Sequence, residues 1–138
     1  MAMELTAKTE NLPSDIVDNL VLEVVTLNLS GREIDLQRAY LGDDFVFGLS
    51  QGCLVAIPFH RVALMQTASL PDFRDISLLQ LLALQRKPVE LEVQIDGSIR
   101  RSWLLNVEGN WLRISSRQGV EWVTTTALVM ARVRPVDN

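Results

Sequence analysis

Two stretches of this chain alternate apolar and polar residues with a period of two. In "VTLNL", Val25, Leu27 and Leu29 fall on one side, with Thr26 and Asn28 on the other. In "LEVQI", Leu91, Val93 and Ile95 do the same. That period puts every second side chain on one face of a β-strand. Each stretch ends in a glycine turn, Ser30–Gly31 or Asp96–Gly97, and a further strand-like run follows, so each reads as a hairpin. Later strands are predicted over about 32–40, 44–50, 53–58 and 61–66, and again over about 99–107, 111–116, 120–125 and 128–134.

The two series match. Val25, Leu27 and Leu29 fall on Leu91, Val93 and Ile95, Ser30–Gly31 on Asp96–Gly97, and Asp44–Phe45 on Asn110–Trp111. With one inserted residue, Gln51–Gly52 falls on Gln118–Gly119 and Val62 on Val129. An internal repeat explains matching turn residues in matching register. Five short, bent strands per copy predict a small barrel, because closure removes exposed edges. The expected fold is all-β with one or two helices: two tandem five-stranded barrels, or one fused pseudo-symmetric unit. Residues 1–12 read as a disordered N-terminus, 13–68 as the first repeat and 69–138 as a linking helix with the second repeat.

Two segments carry helical signals. "LPDFRDISLLQLLALQRK" sets Ile76, Leu79 and Leu82 on one stripe beside Leu78, Leu81 and Leu84, with Asp72 and Asp75 at its start and Arg86, Lys87 and Pro88 at its end. It predicts a core-packing helix joining the halves. "LPSDIVDNL" predicts a short helix capped by Ser14 before the first repeat.

Composition narrows the class. The chain has 138 residues, 48% of them hydrophobic, and a net charge of −4, which suits a globular protein with a modest core. The charge is uneven: residues 1–70 carry four Lys/Arg against nine Asp/Glu, and the remainder nine against eight. An acidic chain is a poor general binder of nucleic acid, so an arginine face in the second half is where such binding would have to sit. Gln80, Gln85 and Arg86–Lys87 interrupt the longest apolar run, so no membrane span is expected. The N-terminus lacks the basic-then-apolar pattern of a secretory signal, and one cysteine cannot form an internal disulfide. A cytoplasmic location is the expectation.

"LGDDFVFGLSQGCLVAIPFHRV" gathers Asp43, Asp44, Cys53 and His60. Seven residues of extended chain span roughly 23 Å, so Cys53 and His60 meet only if the chain reverses between them. One Cys and one His make no metal site. Adjacent Asp43 and Asp44 point to opposite faces of a strand, so a turn with a capping aspartate explains them better than a carboxylate pair. Catalytic, metal and cofactor sites are therefore not expected. Trp103, Trp111 and Trp122 lie among arginines in the second half. Trp103 and Trp111 are expected in the core; an exposed set would offer a stacking platform for single-stranded nucleic acid.

A helix leading into five bent strands, with glycine in the first hairpin and an Asx–aromatic pair after the second strand, resembles the Sm-like (LSm) fold. "LALQRKPVELEVQIDGSIRRSWLLNVEGNWLRISSRQGVEWVTTTALVMARV" also resembles the compact Sm-like domain of actinobacterial proteins, and the internal repeat extends the likeness to the first half. The resemblance implies subunits that associate through strand edges. In its RNA-binding members it implies bases held by loops near Asp44–Phe45 and Asn110–Trp111; the Arg/Lys–Gly pair those members carry before the last strand is absent from both copies. The expected function is a non-catalytic interaction or scaffolding module that self-associates, most simply as a dimer, or engages a protein partner. The alternative is nucleic-acid binding through Arg100, Arg101, Asn110, Arg113, Arg117 and Trp122.

Overall fold

The structure is a computed structural model that describes residues 24–134. The expected helix at 12–20 and the expected disorder of residues 1–12 lie outside the described residues. Eleven strands and one short helix follow in order: β1 (Val24–Leu29), β2 (Arg32–Leu41), β3 (Phe45–Ser50), β4 (Cys53–Pro58), β5 (Leu64–Gln66), β6 (Asp72–Phe73), α1 (Leu78–Ala83), β7 (Val89–Ile95), β8 (Ser98–Glu108), β9 (Trp111–Ser116), β10 (Gly119–Thr124) and β11 (Leu128–Val133). All except β6, which lies parallel to the end of β2, pair antiparallel in one sheet ordered β10-β9-β8-β7-β11-β4-β3-β2-β1-β5.

Each half uses the same order. In the first, the last strand β5 pairs with the first strand β1, and β2, β3 and β4 follow; in the second, β11 pairs with β7, and β8, β9 and β10 follow. The tight turns fall where the sequence puts them. Asp96 and Gly97 have φ of 51° and 82°, the left-handed pair that a two-residue hairpin turn requires, and Ile95 faces Ser98 across it. Both long strands bend at a register shift, between Gln37 and Tyr40 in β2 and between Leu104 and Asn106 in β8.

Closed barrels are not what forms. The sheet is open, with β10 at one end and β5 at the other. It stays open because β4, at the inner end of the first half's strand order, pairs with β11 of the second: Leu54 with Val133, Val55 with Arg132 and Ala56 with Ala131. The apolar runs "CLVAIP" and "LVMARV" are the reason, since a strand apolar on both faces must be covered on both.

Two cores lie on opposite faces of this sheet, and each takes residues from the other half. Val25, Leu27, Leu36, Val46, Val55 and Ile57 form the first, with Val129 and Met130 from β11. Leu91, Val93, Leu112, Ile114, Val123 and Leu128 build the second, to which the first half sends Phe45 and Ala56. Side chains tie the halves as well. Arg61 donates to the Leu128 carbonyl at 3.1 Å, to the Thr126 carbonyl at 2.9 Å and to Gln94 Oε1.

The linking helix is shorter than expected. Only Leu78–Ala83 is helical, Asp72–Phe73 is extended, and the N-cap is Ser77 rather than an aspartate of the preceding segment. Ser77 and Gln80 form a reciprocal capping box that fixes the start. Leu78 and Leu82 seal the second core, while Leu84 is exposed.

The Gln–Gly match also needs correcting. Gln51–Gly52 is the turn between Ser50 and Cys53, whereas the turn between Ser116 and Gly119 is Arg117–Gln118. No inserted residue is needed through the fourth strand: a constant spacing of 66 carries the first half's register onto the second's.

Candidate functional site

Asp43 and Asp44 serve the fold. Asp44 Oδ1 accepts from the Leu78 amide at 2.9 Å at the start of α1, and the Asp43 amide donates to the Ile76 carbonyl at 2.8 Å. The Gly42–Asp44 turn therefore clamps α1 onto the sheet. Cys53 opens β4 and exposed His60 lies in the single helical turn after that strand ends, so the two sit at opposite ends of six extended residues. Among the described residues no group of three or more His, Cys, Asp or Glu is placed to hold a metal ion. A groove of about 690 Å³ runs beside the first hairpin, lined by residues that include Arg32, Asp35, Gln37, Gln51 and Arg132, and contains neither Cys53 nor His60. No helix among the described residues is long and apolar enough to cross a membrane.

Polar residues gather instead on the sheet face opposite the second core. Glu90 and Glu92 occupy β7 positions that are 8% and 7% exposed. Burying carboxylates is costly unless they are paired, and arginines surround them. Arg32 holds Glu92 with two bonds of 2.8 and 3.0 Å. Arg134 lies 3.1 Å, Arg132 3.7 Å and Arg101 4.0 Å from Glu90. The Arg32 hydrogen bonds, aided by the charges of Arg32, Arg101 and Arg132, hold the Glu92 carboxyl below its ordinary pKa despite burial. Arg32 is raised in return, first by the bond to Glu92.

Beyond this cluster the same face carries the tryptophans. Cross-strand partners share a face: Trp103 lies opposite Glu90 and Ser115, Arg113 opposite Asn106 and Trp122, and Trp111 opposite Glu108 and Thr124. Trp103 and Trp111 were expected inside, and that expectation fails: they are 44% and 50% exposed, with Trp122 at 46%. The second core is filled instead by Leu112, Ile114 and Val123 from the opposite side of the same strands. The Arg113 guanidinium sits 6.0 Å from the Trp122 ring and that of Arg134 5.9 Å from Trp103.

The six residues proposed from sequence for nucleic-acid contact do not form one cluster. Arg101, Arg113 and Trp122 share the outer face. Arg100 is half-buried on the other side and pairs with Glu121 at 3.3 Å. Asn110 and Arg117 stand in turns at opposite ends of β9. Trp103 and Trp111, absent from that set, belong to the face. The sequence carried a sign of this, because each tryptophan sits at a position alternating with the buried residues Ser102, Leu112 and Val123.

The free edges complete the description. Among the described residues β10 has no partner on its outer side; it carries exposed Val120 (54%) and Trp122, while β5 carries exposed Leu64 (52%). No protein-family model, curated protein or solved structure matches the chain.

Proposed function

We propose that this chain is a non-catalytic interaction or scaffolding module, built as two tandem Sm-like units, that self-associates through its strand edges. One observation carries the reading: β4 and β11 join two units of the same strand order, and the same two kinds of edge, a fourth strand (β10) and a fifth (β5), remain open at the ends among the described residues. An open strand edge with apolar side chains is a template for pairing. Neither edge carries a proline, and β10 carries one charge, Glu121. Static light scattering over a concentration series tests it. Mass rising above the 15.5 kDa monomer is the expected result; a monomer at the highest concentration overturns the reading.

A second reading has one observation in its favour. Trp103, Trp111 and Trp122 are exposed beside Arg101, Arg113 and Arg134, an arrangement suited to stacking bases and pairing phosphates. Its mark would be binding of single-stranded RNA that weakens steeply with salt.

A further inference from the structure

We propose that Trp111, Val120 and Trp122 form the docking surface for a second copy of this chain, which seats its own β5 edge against them head to tail. This rests on the self-association reading and names the residues and the polarity of the contact.

The grounds lie within one chain. Phe45, Leu54 and Ala56 face away from the first core, yet Phe45 is fully buried, Ala56 is 2% exposed and Leu54 packs against the second core. The core that covers them is built mostly from α1 and the strands of the second half, which lie beside β4. At the constant spacing of 66, the residues in those places are Trp111, Val120 and Trp122, and the cross-strand pairs agree: Phe47 faces Ala56 as Arg113 faces Trp122, and Leu49 faces Leu54 as Ser115 faces Val120. These three are 50%, 54% and 46% exposed, and among the described residues no strand follows β10 in the sheet.

The opposite end supplies the other member of the contact. Met130 on β11 turns away from the second core and is 2% exposed because it enters the first. On β5, Leu64 stands opposite Asn28 on the side away from the first core, and is 52% exposed. Trp111, Val120 and Trp122 thus each correspond to a residue that the internal junction covers, and Leu64 is the exposed apolar residue of the other edge. Asn110 corresponds to the helix-capping Asp44, and its side chain has no hydrogen-bond partner among the described residues. A nucleic acid would use the arginines and rings of this face but would leave Leu64 and the β5 edge unaccounted for. Because the two contacting surfaces differ, the association is heterologous and propagates into a ring or an open chain.

Two edge variants test this: Val120→Glu/Trp122→Glu at the β10 end and Leu64→Glu at the β5 end. All three positions are exposed, so melting temperatures should stay near wild type, which thermal circular dichroism checks. Light scattering should find each variant monomeric alone, and an equimolar mixture should form one-to-one heterodimers through the one intact edge of each. If wild type is itself monomeric, the self-association reading falls and takes this inference with it. If wild type associates but the variants associate as well as it does, or the mixture stays monomeric, or Leu64→Glu alone still dimerises, the head-to-tail surface is wrong while self-association stands. If wild-type assembly is insensitive to these changes and Val120→Glu/Trp122→Glu instead abolishes tryptophan quenching by single-stranded RNA, the face serves nucleic acid and the inference is overturned.

Discussion

Arg32 and Glu92, sixty positions apart, meet through two parallel hydrogen bonds of 2.8 and 3.0 Å. The arginine follows the first hairpin turn and the glutamate lies in the first strand of the second half, so the pair bridges the sheet's junction. Planar fork-to-carboxylate geometry is the strongest form of such a contact. The glutamate is nearly buried, while the Arg32 side chain is 41% exposed, which tempers the strength.

Acid should weaken the fold through Glu92. The unfolded carboxyl takes up a proton at about pH 4.3, and the folded one, held lower by Arg32, only below that. The stabilisation is therefore complete above the unfolded value and is lost as pH falls through the folded one. Glu92→Gln should cost about 1–2 kcal/mol at neutral pH. Urea melts at several pH values should show the gap between wild type and variant closing as pH drops from about 5 to 3; a constant gap would refute the linkage.

Gly42→Ala should destabilise the protein by about 1–3 kcal/mol, the usual cost of overpacking. A Cβ there would run into the Phe45 ring and come within 2.8 Å of the Ile76 carbonyl oxygen. Phe45 is fully buried and cannot swing away. A melting temperature equal to wild type would show that the turn relaxes.

Asp44→Ala should cost about 1 kcal/mol by removing the acceptor for the Leu78 amide, whereas Asp44→Asn keeps an oxygen there and should cost only a few tenths. Equal losses for both variants would mean that charge, not the hydrogen bond, matters.

Ser102→Ala should be neutral or stabilising by up to about 1 kcal/mol. Ser102 is 2% exposed and its hydroxyl has no hydrogen-bond partner among the described residues, so nothing there offsets the desolvation cost it carries. Leu36 holds the corresponding place in the first core. A clear loss of stability would reveal a partner for the hydroxyl.

Cys53→Ala and His60→Ala should each leave self-association unchanged and alter stability by less than about 1 kcal/mol, as expected away from a packed network. Cys53 is half-buried and His60 exposed. Loss of association in either variant, with an unchanged melt, would restore a functional role to that segment.

The ten predicted strands were legible because alternation and turn chemistry are local: their predicted and observed ends differ by at most three residues, the largest gap being at the start of β5, whereas β6 lies in the segment expected to be helical. What covers a strand's second face is not local. Phe45 and Trp111 occupy matching places in similar sequences, yet one is buried and the other half-exposed, because only the first has a neighbouring unit in the chain. Alternation therefore identified one face of each strand and left the other open, and size alone put Trp103 and Trp111 inside. The doubly apolar β4 and β11 held the missing clue, since such strands belong in a sheet's interior. Leucine content overstated the linking helix, where the Ser77 cap, not Asp72, sets the start.

The exchange of residues between the two cores has a kinetic consequence. Ala56 pairs with Ala131, 75 positions later, so this contact cannot form until nearly the whole described segment has left the ribosome. Until then Phe45, Leu54 and the β4 edge are bare, an aggregation-exposed interval typical of distant strand pairing. The halves therefore cannot mature one after the other as independent beads. Synthesis of this chain carries a waiting period, and a nascent first half resembles, at its β4 edge, what the finished protein still presents at β10.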